Sequence, residues 1–206
     1  MPEVETSPPP TRPEASGLLE LEGRGTLSVL RRSAWGSRAA VPSRLDPMGQ
    51  IFRLTVHHSA MVVGDDRQEA AEQIRSIQRR HIGANHWGDI GYHFLIARDG
   101  SVFEGRELEW QGAHAGDGRT NRGNIGICLL GQYKADEPGA QVPTRAQVRA
   151  LVQLTCSLCE HYDIGPDAIL THREIHPTHA TECPGEQVSA LVKRLRTELR
   201  LRNRAE

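Results

Sequence analysis

The sequence lacks the features of several protein classes. It has no apolar run of about 18 residues, so no segment is suited to span a membrane as a helix. Its formal net charge is only −1, which provides no overall positive field to attract nucleic acid. Four cysteines in 206 residues are too few for a disulfide framework. We therefore expect a soluble folded domain without a nucleic-acid partner. We also expect a monomer, although no sequence feature indicates the oligomeric state.

The N-terminal segment is poor in apolar residues. Residues 1–24 carry a proline cluster among glutamate, serine and threonine, and cannot bury enough surface to offset their chain entropy. We expect a flexible leader there and one folded domain over 25–206. The first 17 residues have no apolar core of a secretory signal. Localisation stays open between the cytoplasm, the periplasm and the cell exterior.

Histidine, by contrast, is abundant and grouped. Eight of the ten histidines fall in three groups: His57 and His58; His81, His86 and His93; His172, His176 and His179. Histidine and cysteine are typical zinc ligands, and a catalytic zinc has three protein ligands and one open position. The candidate ligands are one histidine of the first group, one of the last group, and Cys183.

Apolar runs indicate strands, two of which end at histidines. Strands are predicted over 51–56, 92–97, 102–104, 125–130 and 168–171. The first leads into His57 and the last into His172. Asp99 and Gly100 separate the second and third runs, a hairpin signal for which we expect positive φ at both residues.

Helix-start signals separate these strands. Asp66 with Glu69 predicts a helix over 67–81, Thr144 with Gln147 a second helix, and a third follows Pro184. Strands, helices and one hairpin together predict an α/β fold, a single domain with a central mixed β-sheet flanked by helices. The strand ends at 57 and 172 could then lie on one rim of the sheet.

Several short blocks, in order along the chain, resemble a known family. The blocks are Thr-Val-His-His-Ser-Ala (55–60), Trp-Gly-Asp-Ile-Gly-Tyr-His-Phe-Leu-Ile (87–96), Gly-Ser-Val-Phe-Glu-Gly-Arg (100–106), Gly-Ala-His-Ala-Gly (112–116), Asn-Ile-Gly-Ile (124–127), His-Arg-Glu (172–174) and Thr-Glu-Cys-Pro-Gly (181–185). Together they look like the peptidoglycan recognition proteins and the wider type 2 N-acetylmuramoyl-L-alanine amidases.

The resemblance implies a zinc enzyme. It implies one Zn2+ per chain, held by His57, His172 and Cys183, and hydrolysis of the amide bond between N-acetylmuramic acid and L-alanine in peptidoglycan or muropeptides. It also implies that Tyr92 contacts the scissile carbonyl or the attacking water, and that Thr181 is a second catalytic residue. Because the ligand set is complete, hydrolysis is favoured over the alternative, a non-catalytic peptidoglycan-binding or sensing module.

A substrate groove is also implied. His114 is expected to touch substrate, and Trp87 and Trp110 to wall the groove, with simple packing as their alternative. His58 is interpreted as a structural or supporting histidine, because adjacent strand residues face opposite sides of a sheet; it is kept among the groove candidates.

The spacing of the last two ligands departs from the family pattern. His172 and Cys183 are eleven residues apart, three more than is usual in the family. The longer segment brings in His176 and His179, either of which could compete as a ligand. We favour His172, because it directly follows a predicted strand.

Overall fold

A mixed sheet forms the centre of the computed structural model, which describes residues 18–21, 27–175 and 181–203. Within these ranges its seven strands are β1 Leu18–Leu21, β2 Leu27–Leu30, β3 Arg53–His58, β4 Phe94–Ile96, β5 Val102–Glu104, β6 Asn124–Leu129 and β7 Ile169–Thr171. The spatial order is β1-β2-β5-β4-β6-β3-β7. The pairs β1–β2 and β4–β5 are antiparallel, and the others are parallel.

Helices cover both faces of this sheet. They are α1 Arg67–Gly83, α2 Gly118–Asn121, α3 Arg145–Tyr162, α4 His172–Ile175 and α5 Glu186–Asn203. On one face, Ile74 of α1 packs in a core cluster with Leu95 and Phe103. On the other face, Leu154 of α3 and Val192 of α5 share a second cluster with strand residues. The predicted α/β fold with a mixed, helix-flanked sheet is confirmed.

The predicted helix starts form with side-chain caps. The Asp66 carboxylate accepts hydrogen bonds from the amides of Gln68 and Glu69, and the Thr144 hydroxyl accepts one from the amide of Gln147. Each cap satisfies amides that have no partner inside the helix and is worth about 1 kcal/mol. Within the described ranges, no helix is both long and apolar enough to cross a membrane.

The turn between β4 and β5 differs in detail from its prediction. Gly100 has a φ of +89°, but Asp99 keeps negative φ. The Asp99 carboxylate instead accepts a 2.8 Å hydrogen bond from the Ser101 amide. A side-chain turn of this kind replaces the second left-handed residue that we expected.

Part of the predicted leader belongs to the sheet. Leu18–Leu21 lies within residues 1–24 and pairs with β2, with Leu18 opposite Leu30 and Leu21 opposite Leu27. These backbone hydrogen bonds cover the edge of β2, which would otherwise be exposed. The other residues of the predicted leader, 1–17 and 22–24, lie outside the described ranges.

The parallel strands β3 and β7 bring two histidines to one rim. Val56 of β3 is paired with Thr171 of β7, so the histidines that come after these two residues lie at the same end of the sheet. His57 is the next residue on β3, and His172 begins α4. The expected juxtaposition of the strand ends at 57 and 172 is confirmed.

Candidate metal centre and groove

Three side chains that are distant in sequence converge on this rim. His57 comes from β3, His172 from the start of α4, and Cys183 from the loop that precedes α5. Their candidate ligand atoms all lie within 4.8 Å of one another, and the Cys183 Sγ is 3.8 Å from the His57 Nδ1. The ring centroids of His57 and His172 are 4.7 Å apart. The structure therefore brings together the three residues that the family resemblance implied as ligands.

The spacing and the chemistry of this cluster are compatible with a zinc ion. Zinc bonds of about 2.0–2.1 Å to nitrogen and about 2.3 Å to sulfur would place tetrahedral ligands about 3.5 Å apart. The 3.8 Å separation of Sγ and Nδ1 is close to that value. Two imidazoles and one thiolate are also a preferred zinc donor set. Across the described ranges this is the one such cluster, whereas His176 and His179 lie outside them.

Burial shapes the proton affinity of the ligands. His57 is 1% exposed, and burial lowers its pKa well below the usual value, an effect to which the nearby His114 and His172 add. Burial raises the pKa of the Cys183 thiol to about 12, against the opposing effects of the His58 backbone N–H and the Arg173 charge. His57 is therefore a neutral imidazole with a lone pair to offer, while Cys183 must release a proton to bind a cation.

The second ring nitrogen of His57 is occupied by another histidine. The Nε2 of His57 lies 3.0 Å from the Nδ1 of His114, and the Nε2 of His114 lies 3.1 Å from the carbonyl oxygen of Asn124. His114 is 7% exposed, although it also lines the groove beside the cluster. Both ring nitrogens of His114 are thus used within the protein, whereas its expected role was contact with substrate.

The two expected catalytic side chains lie beside the cluster. The Tyr92 ring centroid is 5.3 Å from that of His57, and burial raises the Tyr92 pKa well above its usual value, so its hydroxyl stays protonated. The Thr181 Oγ1 accepts a 3.2 Å hydrogen bond from the Cys183 amide. Tyr92 is thus a hydrogen-bond donor in the groove, and Thr181 holds the backbone of a candidate ligand.

A groove of about 530 Å³ opens from the cluster. Its lining includes Arg44, Asp46, Trp87, Tyr92, Asp117 and His172. Trp87 is thus one of the lining residues, and its ring packs on His81 with centroids 4.5 Å apart. The groove offers an aromatic wall together with charges of both signs, a combination suited to a polar ligand such as a peptide with free charged groups.

Two of the expected groove residues lie elsewhere. The Trp110 backbone forms an isolated bridge with Pro47, and the residue lines a separate pocket of about 370 Å³ together with Arg32 and Arg38. His58 is 7% exposed and is not part of the groove lining; its Nδ1 accepts a 3.2 Å hydrogen bond from the Tyr133 amide. These contacts agree with the interpretation of His58 as a structural histidine.

Sequence reasoning did not identify the residues that surround His114. The amides of His114 and Ala115 both donate to the Asn121 side-chain oxygen, at 3.0 and 2.9 Å. Gly112 and Gly126 lie against its imidazole. Both glycines belong to the sequence blocks that resemble the family, but a glycine in a sequence does not indicate which side chain packs against it.

Comparison with known proteins identifies the family. A family model, Amidase_2, described as N-acetylmuramoyl-L-alanine amidase, matches residues 47–186. The chain belongs to the Amidase_2 family. Peptidoglycan-recognition protein SC2 of Drosophila simulans is 32% identical over 163 residues, which are 79% of this Amidase_2 chain and 83% of that protein. The human N-acetylmuramoyl-L-alanine amidase is 34% identical over 176 residues, 82% of this chain but 28% of that protein.

Solved structures of recognition proteins share the fold. Wild-type Drosophila PGRP-LB superimposes with a TM-score of 0.69 at 28% identity, covering 80% of this Amidase_2 chain and 92% of that one. The structure of PGRP-LE in complex with tracheal cytotoxin superimposes with a TM-score of 0.67 at 27% identity. The match covers 82% of this chain and 92% of the PGRP-LE chain. Relatives named for recognition and relatives named for amidase activity both occur, so the choice between these functions rests on the site.

Proposed function

We propose that this Amidase_2 chain is a zinc-dependent N-acetylmuramoyl-L-alanine amidase, which hydrolyses the bond between N-acetylmuramic acid and L-alanine in peptidoglycan or its fragments. The observation that carries the proposal is the convergence of His57, His172 and Cys183 within 4.8 Å at the end of a groove. Three protein ligands leave the fourth tetrahedral position for water or substrate, as in catalytic zinc sites.

We propose a separate role in amide hydrolysis for each residue around the cluster. Zinc, when bound, polarises the scissile carbonyl and lowers the pKa of a coordinated water to about 7. We propose that the Tyr92 hydroxyl, which burial keeps protonated, donates a hydrogen bond to the oxygen that gains negative charge. One such donor is worth about 3 kcal/mol in the transition state. We propose that Thr181 assists mainly by fixing the Cys183 backbone.

We propose a muropeptide as the substrate. PGRP-LE, which has the same fold, was solved with monomeric diaminopimelic acid-type peptidoglycan. The groove here presents Trp87 as an apolar wall for a sugar or peptide face, and Arg44 and Asp117 as opposite charges for a stem peptide that carries both. The monomeric state stays a prediction.

The test is release of stem peptide from a defined substrate. The zinc-loaded protein is incubated with muramyl peptides that contain diaminopimelate or lysine, with and without a chelator, and free peptide is quantified by mass spectrometry. We expect release that the chelator abolishes, and no release by Cys183→Ser. Cys159→Ser is the matched control, because that cysteine lies on α3 and is not one of the clustered ligands.

A different result would favour the alternative function. Saturable muropeptide binding by the zinc-loaded protein, with no peptide released at stoichiometric enzyme, would indicate a recognition module that uses the same groove. Release that persists in Cys183→Ser would contradict the proposed ligand set.

A further inference from the structure

A chain of hydrogen bonds determines where the proton of His57 lies. The carbonyl oxygen of Asn124 can only accept, so the Nε2 of His114 donates to it across 3.1 Å. A buried imidazole without a carboxylate partner is neutral, which leaves the His114 Nδ1 as an acceptor. The His57 Nε2 must then be the donor across the 3.0 Å contact between the two rings. The lone pair of His57 is left on Nδ1, the atom 3.8 Å from the Cys183 Sγ.

The His114 ring lies in a slot built from two glycines. A Cβ at Gly126 would come within 2.5 Å of the His114 Cδ2, and a Cβ at Gly112 would come equally close to the same atom. Since real Cβ atoms do not approach so closely, any side chain at either position would displace the ring. The backbone of His114 is fixed as well, because its amide donates to the Asn121 side chain. The slot, together with the hydrogen bonds of both ring nitrogens, fixes the orientation of the imidazole.

We propose that His114 is a positioning residue, which fixes the proton of His57 on Nε2 and so presents Nδ1 to the metal. This inference deepens the proposed function. The benefit to metal binding rests on the proposed zinc site, whereas the hydrogen bonds that determine the tautomer do not. A histidine in the other tautomer would direct an N–H at the metal and could not coordinate through that atom. Hydrogen bonds of this kind to a ligand's second nitrogen typically contribute about 10- to 100-fold in metal affinity.

The first experiment measures the tautomer directly. Long-range proton–nitrogen correlation spectra of the metal-free protein, at neutral pH, distinguish a protonated ring nitrogen from one with a lone pair. We expect His57 to be protonated on Nε2 only, and His114 likewise. A His57 protonated on Nδ1, or exchanging between both tautomers, would overturn the inference. No metal or substrate is needed for this measurement.

The second experiment distinguishes the hydrogen-bond acceptor of His114 from the space that its ring fills. His114→Asn keeps a side-chain oxygen near the position of Nδ1, whereas His114→Phe fills the slot without an acceptor. We expect zinc affinity, measured by competition with a chromophoric chelator, to fall about 10- to 100-fold in the phenylalanine variant and less in the asparagine variant. His161→Phe is the matched control, because His161 is exposed near the end of α3.

The role of His114 can be tested even if a variant does not fold or if the protein shows no amidase activity. If His114→Phe does not fold, as circular dichroism would show, the tautomer of the unmodified protein still decides the question. Wild-type zinc affinity in a folded His114→Phe variant would overturn the inference. Neither readout involves peptidoglycan, so an absence of amidase activity would count against the proposed function and not against the role of His114.

Discussion

The backbone amide of Arg173 donates a 3.0 Å hydrogen bond to the carbonyl of Cys183. One candidate ligand is thereby tied directly to the residue that follows another, His172. The Arg173 guanidinium adds contacts of 3.2 Å each to the carbonyl oxygens of Thr181 and Glu182. These contacts tie Cys183 and the two residues before it to Arg173, which explains why the two candidate ligands are adjacent despite their eleven-residue spacing.

We expect the Arg173 side chain to support the metal site from outside. Arg173→Ala removes the guanidinium contacts but keeps the backbone bond, so zinc affinity should fall by up to about 10-fold. Chelator competition measures the effect. Arg194→Ala is the matched control, because Arg194 pairs with Glu198 on the exposed face of α5. Equal affinities in both variants would show that the guanidinium is dispensable.

The identity of the second histidine ligand can be tested with three single variants. His172→Ala should abolish stoichiometric zinc binding, because its ring belongs to the three-ligand cluster. His176→Ala and His179→Ala should each keep one zinc per chain, as measured by atomic emission after dialysis. Loss of zinc in either of these two variants, with retention in His172→Ala, would reassign the ligand.

Tyr92 should act on the reaction and not on the metal. Tyr92→Phe removes the hydroxyl donor but keeps the ring that lies 5.3 Å from His57. We expect kcat for muropeptide hydrolysis to fall about 100- to 1,000-fold, with zinc affinity unchanged. A variant of normal kcat would exclude a transition-state role for the hydroxyl, and a variant that lost zinc would indicate a structural one.

Stability should fall in mild acid, in part because of His93. Burial lowers the pKa of His93 to about 4, and its Nδ1 accepts a hydrogen bond from the Gly126 amide. The unfolded chain, with a histidine pKa of about 6.5, binds the proton more readily, so stability is lost as pH falls from about 6.5 towards 4. In this pH range, each such histidine lowers the free energy of unfolding by about 1 kcal/mol for every unit by which the pH falls.

Urea unfolding of the metal-free protein at several pH values measures this dependence. His93→Gln should be less stable at neutral pH, with a flatter decline in acid. His161→Gln, which changes an exposed histidine, should keep the wild-type slope. An unaltered slope in His93→Gln would show that this histidine is not one of the groups responsible.

Local signals in the sequence predicted the secondary structure well, because they act over a few residues. Asp66 and Thr144 cap their helices as expected. Glu69, the second residue of that helix-start signal, was expected to accept a hydrogen bond from the Asp66 amide, but its carboxylate accepts one from the Gly64 amide instead. Gln147 likewise turns inward, and its amide donates to the carbonyls of Ile96 and Leu130. Gln147 thus makes tertiary contacts instead of the local one, whereas Glu69 exchanges one local contact for another.

The sequence by itself determined which chemistry was available: strand-forming runs that end at His57 and His172, a cysteine near the second histidine, and blocks that resemble one family. The tertiary structure decided which side chains share a site. It placed Trp110 in another pocket and enclosed His114 between Gly112 and Gly126, next to His57. Strand and helix signals arise from neighbouring residues, whereas these contacts arise only when parallel strands and loops that are distant in sequence meet at one rim of the sheet.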